Sequence, residues 1–445
     1  MATMTNSYAF QATSRFGLGA RPGELDSVGS DPRGWLLSQL HAPFIPQEVK
    51  QRFGGENMLA DVLNEVRKNK LGKAQQKAEA LREIYINETG ARMLAQIRST
   101  QPFIERMVLF WSNHFTISIQ KPILAGIVNQ YEVEAIRPHI NGTFRDMLIA
   151  VTQHPGMLLY LDNAQSFGPD SRAGKRRDKG INENLAREIL ELHTLGVGSG
   201  YTQADVIALA RIITGWTLDR SLISGIRIAY KFQHIVHEPG NKILLGHNFS
   251  ENGEQEGIDA LTMLARHSAT ARHIATKLAR HFIDDNPPPS AIAQLEKSFL
   301  DSDGHLPTIM RTLVNLNDAW TQPLTKFKTP YEYMLSALRL TAIEPNPMQV
   351  VAGLEALNFR AFNASSPAGY DDLAASWASS DAILKRIEWG HRLAQRLPAS
   401  TSPLALAEAA IGDYLSPTTK QAIERAPSGV DGIGLLLASP EFQRR

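Results

Sequence analysis

Apolar residues recur every three to four positions along most of this chain, the spacing that gathers them on one stripe of a helix. The period predicts a helix at 57–99, rich in Ala, Leu, Glu, Lys, Arg and Gln, with a basic solvated face over 63–79. It predicts another at 102–114, opened by Pro102, and two more at 124–140 and 142–152, broken at Asn141-Gly142. Residues 183–195 and 203–214 are the clearest helices. The pattern returns at 254–283, 288–301, 305–316, 329–342, 348–358, 380–397 and 403–412. Between 225 and 246 it changes, and two β-prone runs flank Pro239-Gly240-Asn241, which predicts a hairpin. Residues 163–182 are polar and carry Arg172, Lys175, Arg176, Arg177 and Lys179, the composition of a mobile connection. Residues 360–376 read as a second loop. There is no fixed repeat and no clean linker. The expected fold is mainly α: one large multi-helix domain over 8–445, with a small β-hairpin near 225–246.

Composition narrows the function classes. The chain has 445 residues, 43% of them hydrophobic, enough for a sizeable core. Lys+Arg number 46 and Asp+Glu 45, so no basic excess marks a nucleic-acid binder and none is expected. The absence of cysteine excludes thiolate nucleophiles, disulfides and cysteine metal sites. No apolar run is long enough to predict a membrane span, and as written the chain reads as cytoplasmic. Nucleotide-loop, zincin and nucleophile-elbow signatures are missing, so no cofactor and no metal is assigned.

The candidate chemistry lies on a few helices. At 100° per residue, Leu185, Ala186, Ile189, Leu190, Leu192 and His193 share one arc. Glu183, Asn184, Arg187, Glu188, Glu191 and Thr194 share the other. That polar arc is either a solvated face laced by Glu183–Arg187 or one wall of a cleft. Thr202 and Asp205 have capping-box spacing. His114 continues the apolar stripe of Phe103, Met107 and Phe110, which makes a core role its default. His237, Glu238, Gly240 and Lys242 surround the hairpin turn.

Several long motifs then point the same way. GTFRDMLIAVTQHPGMLLYLDN, NENLAREILELHTLGVGSGYTQADVIALARIITGW, ERMVLFWSNHFTIS, HEPGNKILLG, KFKTPYEYMLSALR, the segment around Tyr370, Trp377 and Arg386, and LLLASPEFQRR resemble the bacterial domain of unknown function 1800. The resemblance covers nearly the whole chain. It implies no established activity. It does imply that polar residues mark the family's motifs: His114, Asn184, Arg187, Glu188, Tyr201, Asp205, Trp216, His237, Lys242, Lys328 and Arg386.

The leading expectation is an enzyme with an acid/base cleft between the 103–114 helix, the 183–195 helix and the hairpin. Glu188 or Glu191 would be the acid/base, with His114 as partner. The like charge of its i,i+3 neighbour would raise a carboxyl pKa there. Arg187, Asn184, His237, Lys242 and Lys328 would hold an anionic substrate, phosphorylated or a uronate-type glycan, for hydrolysis or elimination. The alternative is a non-enzymatic binding or scaffold protein using the 183–191 face and the 163–182 loop. A metal-dependent hydrolase built on His114, His237 and a glutamate is a third reading. Oligomeric state is left open.

Overall fold

The computed structural model describes residues 8–41, 73–219, 228–321 and 323–445. Helices make up 64% of it, and its strands form two small antiparallel pairs, so the class is mainly α. The 57–72 part of the first predicted helix, and most of its basic face, lie outside the described residues.

The helices that position the site and its surroundings are α1 (Lys73–Arg98), α2 (Pro102–His114), α3 (Asn184–Glu188), α4 (Gln203–Ile212), α5 (Glu254–Ala265), α6 (Ser268–Phe282), α7 (Pro330–Thr341), α8 (Ser380–Ala394) and α9 (Gly429–Ala438). Their starts follow local chemistry. Pro102 opens α2. The expected capping box opens α4, where Asp205 accepts from the Thr202 amide at 2.8 Å. The single period over 254–283 is cut in two at His267, whose ring accepts from the Ala269 amide and starts α6. No helix among the described residues is long and apolar enough to cross a membrane.

Three expectations need correction. The hairpin is not paired across Pro239–Asn241. Instead β1 (Trp216–Leu218) pairs with β2 (Tyr230–Phe232), and β3 (Lys242–Leu244) with β4 (His247–Phe249) around Leu245-Gly246. The 163–182 segment carries a helix at Arg172–Arg177 capped by Ser171. It is stitched down by Gly168 N donating to Val236 O at 2.9 Å and by the Asp170 amide donating to Glu238 at 2.9 Å. The 124–140 helix is a chain of short turns, one of them π-helical.

That last feature recurs. Ala12–Phe16, Glu132–Ile136 and Ile189–His193 are all π turns. Each carries an extra residue per turn and rotates the residues after it. Thr194 therefore leaves the polar arc on which 100° spacing places it. It is fully buried, and its hydroxyl donates to Ile189 O, five residues back, at 2.6 Å. π turns of this kind concentrate at functional sites.

One apolar cluster runs from Ala9 to Phe442. Around α2 it is aromatic: Trp111 stacks on Phe115, and Phe103 meets Phe16 and Phe282 edge-on. Each such ring contributes roughly 1.5–3 kcal/mol by leaving water.

Candidate functional site

All three π turns meet α2. Arg106 donates to Gly17 O, just past the first turn, and to Ser14 O within it. Ser112 donates to Glu132 of the second at 2.8 Å. His114 Nε2 donates to His193 O of the third at 3.2 Å. The helix buries charge as well as apolar surface. Glu105 and Arg106 are fully buried. Glu105 pairs with Arg137 at 2.7 Å, and Glu132 pairs with Arg92 at 2.6 Å and Arg137 at 3.0 Å. Burial alone would raise the Glu132 carboxyl, but the two guanidiniums outweigh it and bring it down to about 2.

A second buried network lies on the other side of α2. Glu332 of α7 takes Arg106 and, at 3.0 Å, Arg445. Its carboxyl also falls to about 2, against the effect of burial. Arg445 reaches on to Asp372 at 3.2 Å and donates to His281 O at 2.6 Å. Arg445 is held in place by an antiparallel bridge between Phe327 and Arg444.

Between these networks is a cavity of about 100 Å³, room for several waters or a small organic group. Its walls are Leu109, Ile117, Phe359, Phe362, Tyr331 and Tyr370, with Arg92, Ser112, Asn113, His281 and Asp372 as polar members. The 359–372 loop closes one side. Asn113 holds it by donating to Tyr370 O at 2.9 Å and accepting from Tyr370 N at 2.7 Å. Phe362 has φ of 55°, a conformation that a bulky residue adopts only under constraint, and lies 4.7 Å from the Arg92 guanidinium.

His281, in the last turn of α6, is the unusual member of this wall. Its Nδ1 bonds Asp372 at 3.0 Å. Its Nε2 is buried and has no hydrogen-bond partner. Burial brings the imidazole down to about 4 although Asp372 pulls the other way, so the ring is neutral at physiological pH. The Asp372 carboxyl is held well below the usual range, because His281, Arg445 and Lys326 outweigh its burial. A neutral imidazole whose Nδ1–H is fixed on a carboxylate presents an Nε2 lone pair.

The eight residues proposed from sequence are divided among separate places. Glu188, Glu191, Arg187 and Asn184 share the α3 face, as expected. There Arg187 pairs with Glu183 at 2.9 Å and Glu191 at 3.6 Å and donates to Gln203 at 2.9 Å. Glu188 is half-buried, and its carboxyl is raised by burial first and by Glu191 second. Asn184 is exposed. His114 is a core residue, packed on Phe115 and Phe144, and no hydrogen bond joins it to Glu188 or Glu191 among the described residues. Burial pushes its imidazole well below the ordinary value. His237 and Lys242 meet the buried Glu256 of α5 at 3.1 and 3.0 Å, in a cluster of their own. Lys328 donates to Ser336 at 3.1 Å and lies 4.2 Å from the Phe442 ring centroid. Burial, with Arg106 next, lowers it to about 7. A single cleft of all eight is thus not assembled. His114 and His237 share no contact either, and no three His, Asp or Glu side chains converge as a metal-binding set among the described residues.

The sequence profile of one family matches residues 11–444. The chain belongs to DUF1800. That family is described as protein of unknown function. No curated protein and no solved structure matches the chain. The DUF1800 match includes both sides of the cavity, from α2 to Arg444. His281, Asp372 and Arg445 went unnoticed in the sequence because a histidine in a helix's last turn reads as a partner of the helix dipole, and paired aspartates in a loop read as turn residues. The available signal was the family's segment around Tyr370, which contributes Asp372; Arg445 follows directly on the matched range.

Proposed function

We propose that this chain is an enzyme whose general base is His281, oriented by Asp372, acting on a small substrate in the cavity between α2, α6 and the 359–372 loop. The observation that carries the reading is that His281 lines the cavity and its Nε2 has no hydrogen-bond partner. A buried nitrogen without a partner loses the hydrogen bond it would make with water, so it is retained for a reason other than stability. No serine or threonine hydroxyl is bonded to it among the described residues, so a covalent triad is not the model. Nε2 takes its proton from water or from the substrate, and returns it to the leaving group, which fits hydrolysis or elimination. Arg92 is already paired with Glu132, and Arg106 and Arg445 with Glu332, so the cavity is balanced in charge. This favours a substrate with an apolar or aromatic body over the fully anionic one.

The test is a panel of chromogenic esters, amides, phosphoesters, glycosides and uronides, run on the protein and on His281→Ala. Turnover falling at least 100-fold with the melting temperature retained is expected. Turnover that survives the substitution removes His281 from the mechanism.

A second reading rests on Glu188. Its raised carboxyl, beside Glu191 and Tyr201, is what an acid at the π turn would need. Loss of turnover in Glu188→Gln and not in His281→Ala would select it.

A further inference from the structure

Residues 167–180 form a compact surface loop whose ends are joined by Phe167 N donating to Gly180 O at 3.1 Å. None of them lines the cavity of His281. Five of the eight residues from Arg172 to Lys179 are cationic, and all five are exposed. Asp170 answers one of them, at 3.2 Å from Lys175. Among the described residues, Arg172, Arg176, Arg177 and Lys179 have no carboxylate partner. Arg177 and Lys179 instead share the Phe167 ring, at 5.7 and 5.3 Å from its centroid.

This arrangement works against stability. Arg172 repels Lys175 and Arg176, its neighbours three and four positions on. A helix C-terminus favours a cation or two in its last turn, not five like charges in so short a run. The fold nevertheless holds them together. Ser171 accepts from Gly174 N at 3.0 Å and donates to Gly168 O at 2.6 Å. The Asp170 amide is tied to the buried Glu238. Gly168 lies so close that a Cβ there would come within 2.6 Å of the Glu238 backbone nitrogen. A cationic surface fixed in place without its counter-charge is complementary to an anionic partner.

The surroundings of the loop select the partner. Its helix packs on the 234–236 turn, and that turn presents Ile235, 46% exposed. A bare aliphatic side chain beside a basic cluster suits a lipid surface. There the cations meet headgroup phosphates and the aliphatic tip enters the acyl boundary. Single-stranded nucleic acid is held by free aromatic faces on which bases stack. Phe167, the aromatic residue of the loop, is half-buried and carries Arg177 and Lys179 over its ring. We propose that the 167–180 loop, together with Ile235, docks the protein reversibly on the surface of an anionic lipid bilayer. The proposal stands whether or not His281 is a base.

The experiment is sedimentation of the intact protein with vesicles of phosphatidylcholine, alone or with about 30% phosphatidylglycerol, at low salt. Binding to the acidic vesicles is expected to be at least tenfold tighter, and to fall at least tenfold when salt is raised to about 0.3 M. Arg172→Gln/Lys175→Gln/Arg176→Gln should abolish the preference with the melting temperature unchanged. Ile235→Ser should weaken binding at every salt concentration. Hydrogen exchange over 170–181 should slow on the acidic vesicles, a readout that needs no variant. Equal binding to both vesicles, or a folded triple variant that still prefers the acidic ones, overturns the proposal. So does exchange protection that leaves the loop untouched, or tighter binding to DNA than to the vesicles at the same salt.

Discussion

Two of the buried histidines paired with a carboxylate among the described residues, His237 and His281, differ in one nitrogen. At the strands, His237 Nδ1 donates to Thr214 O at 2.8 Å and Nε2 meets Glu256 at 3.1 Å, while Lys242 shares the same carboxylate. Both ring nitrogens are spent on the fold. Under the 359–372 loop, His281, a residue of the cavity wall, spends Nδ1 on Asp372 and leaves Nε2 without a partner. Residue type, burial and a carboxylate neighbour are common to both. The spare lone pair and the space beside it separate a structural pair from one that can do chemistry.

The largest effect that would test this contrast is on the structural side. Glu256→Gln leaves Lys242 and His237 buried without an anion and is expected to cost about 3–5 kcal/mol in urea unfolding. Asp372→Asn should cost clearly less, because Arg445 keeps Glu332 and Lys326 keeps Asp285. Equal losses would erase the distinction.

Acid sensitivity comes next. His193 and His281 are lowered by burial to about 3 and about 4, so they remain neutral when folded and take up protons first in the unfolded chain. Their stabilisation is complete above the unfolded value near 6.5 and is lost as pH falls toward those folded values. The slope is up to about 1.4 kcal/mol per pH unit for each histidine. The lowered carboxyls, Glu132 and Glu332, lose theirs only between about 4.5 and 2. Unfolding free energy should therefore begin to decline below pH 6.5, and His193→Phe should flatten that decline. An unchanged slope would contradict the neutral buried ring.

Gly369 sharpens the role of the loop. It has φ of +86°, and a Cβ there would lie 2.5 Å from Asn113 O. Gly369→Ala should cost about 1–2 kcal/mol and raise hydrogen exchange across 359–372, releasing the loop from α2. His237→Gln against His281→Gln is a finer probe. The first should lose on the order of 1–3 kcal/mol and the second less, since it leaves no partner of Nε2 unmet. Glu188→Gln should be the smallest, within about 0.5 kcal/mol and in the stabilising direction at pH 7. The charge is disfavoured there by burial and by Glu191, and solvent screens most of it.

Much of the helical architecture was legible from apolar spacing, and the α4 capping box was readable residue by residue. Spacing could not show where a turn takes an extra residue, so Thr194 falls on the solvent arc by period and in the core by structure. The polar face of α3 was legible as a face. Its assembly with His237, Lys242 and Lys328 was not, because charge types in a sequence do not say which partner each will find. Lys242 found Glu256 and Lys328 found Ser336. The His281 site was invisible for a related reason. It joins α2, α6, the 359–372 loop and Arg445, and no local pattern links those segments.

That wide separation has a consequence for how the protein is made. The network of Arg106, Glu332, Asp372 and His281 is not complete until Arg445 has left the ribosome. At 5–20 residues per second, α2 waits on the order of 10–40 s for its last charge partner, Glu332. Contacts that close across 164 residues, from His281 to Arg445, or 226, from Arg106 to Glu332, raise the contact order, which correlates with slower folding. Until Arg445 is made, the nascent chain holds the charge network beside the cavity incomplete.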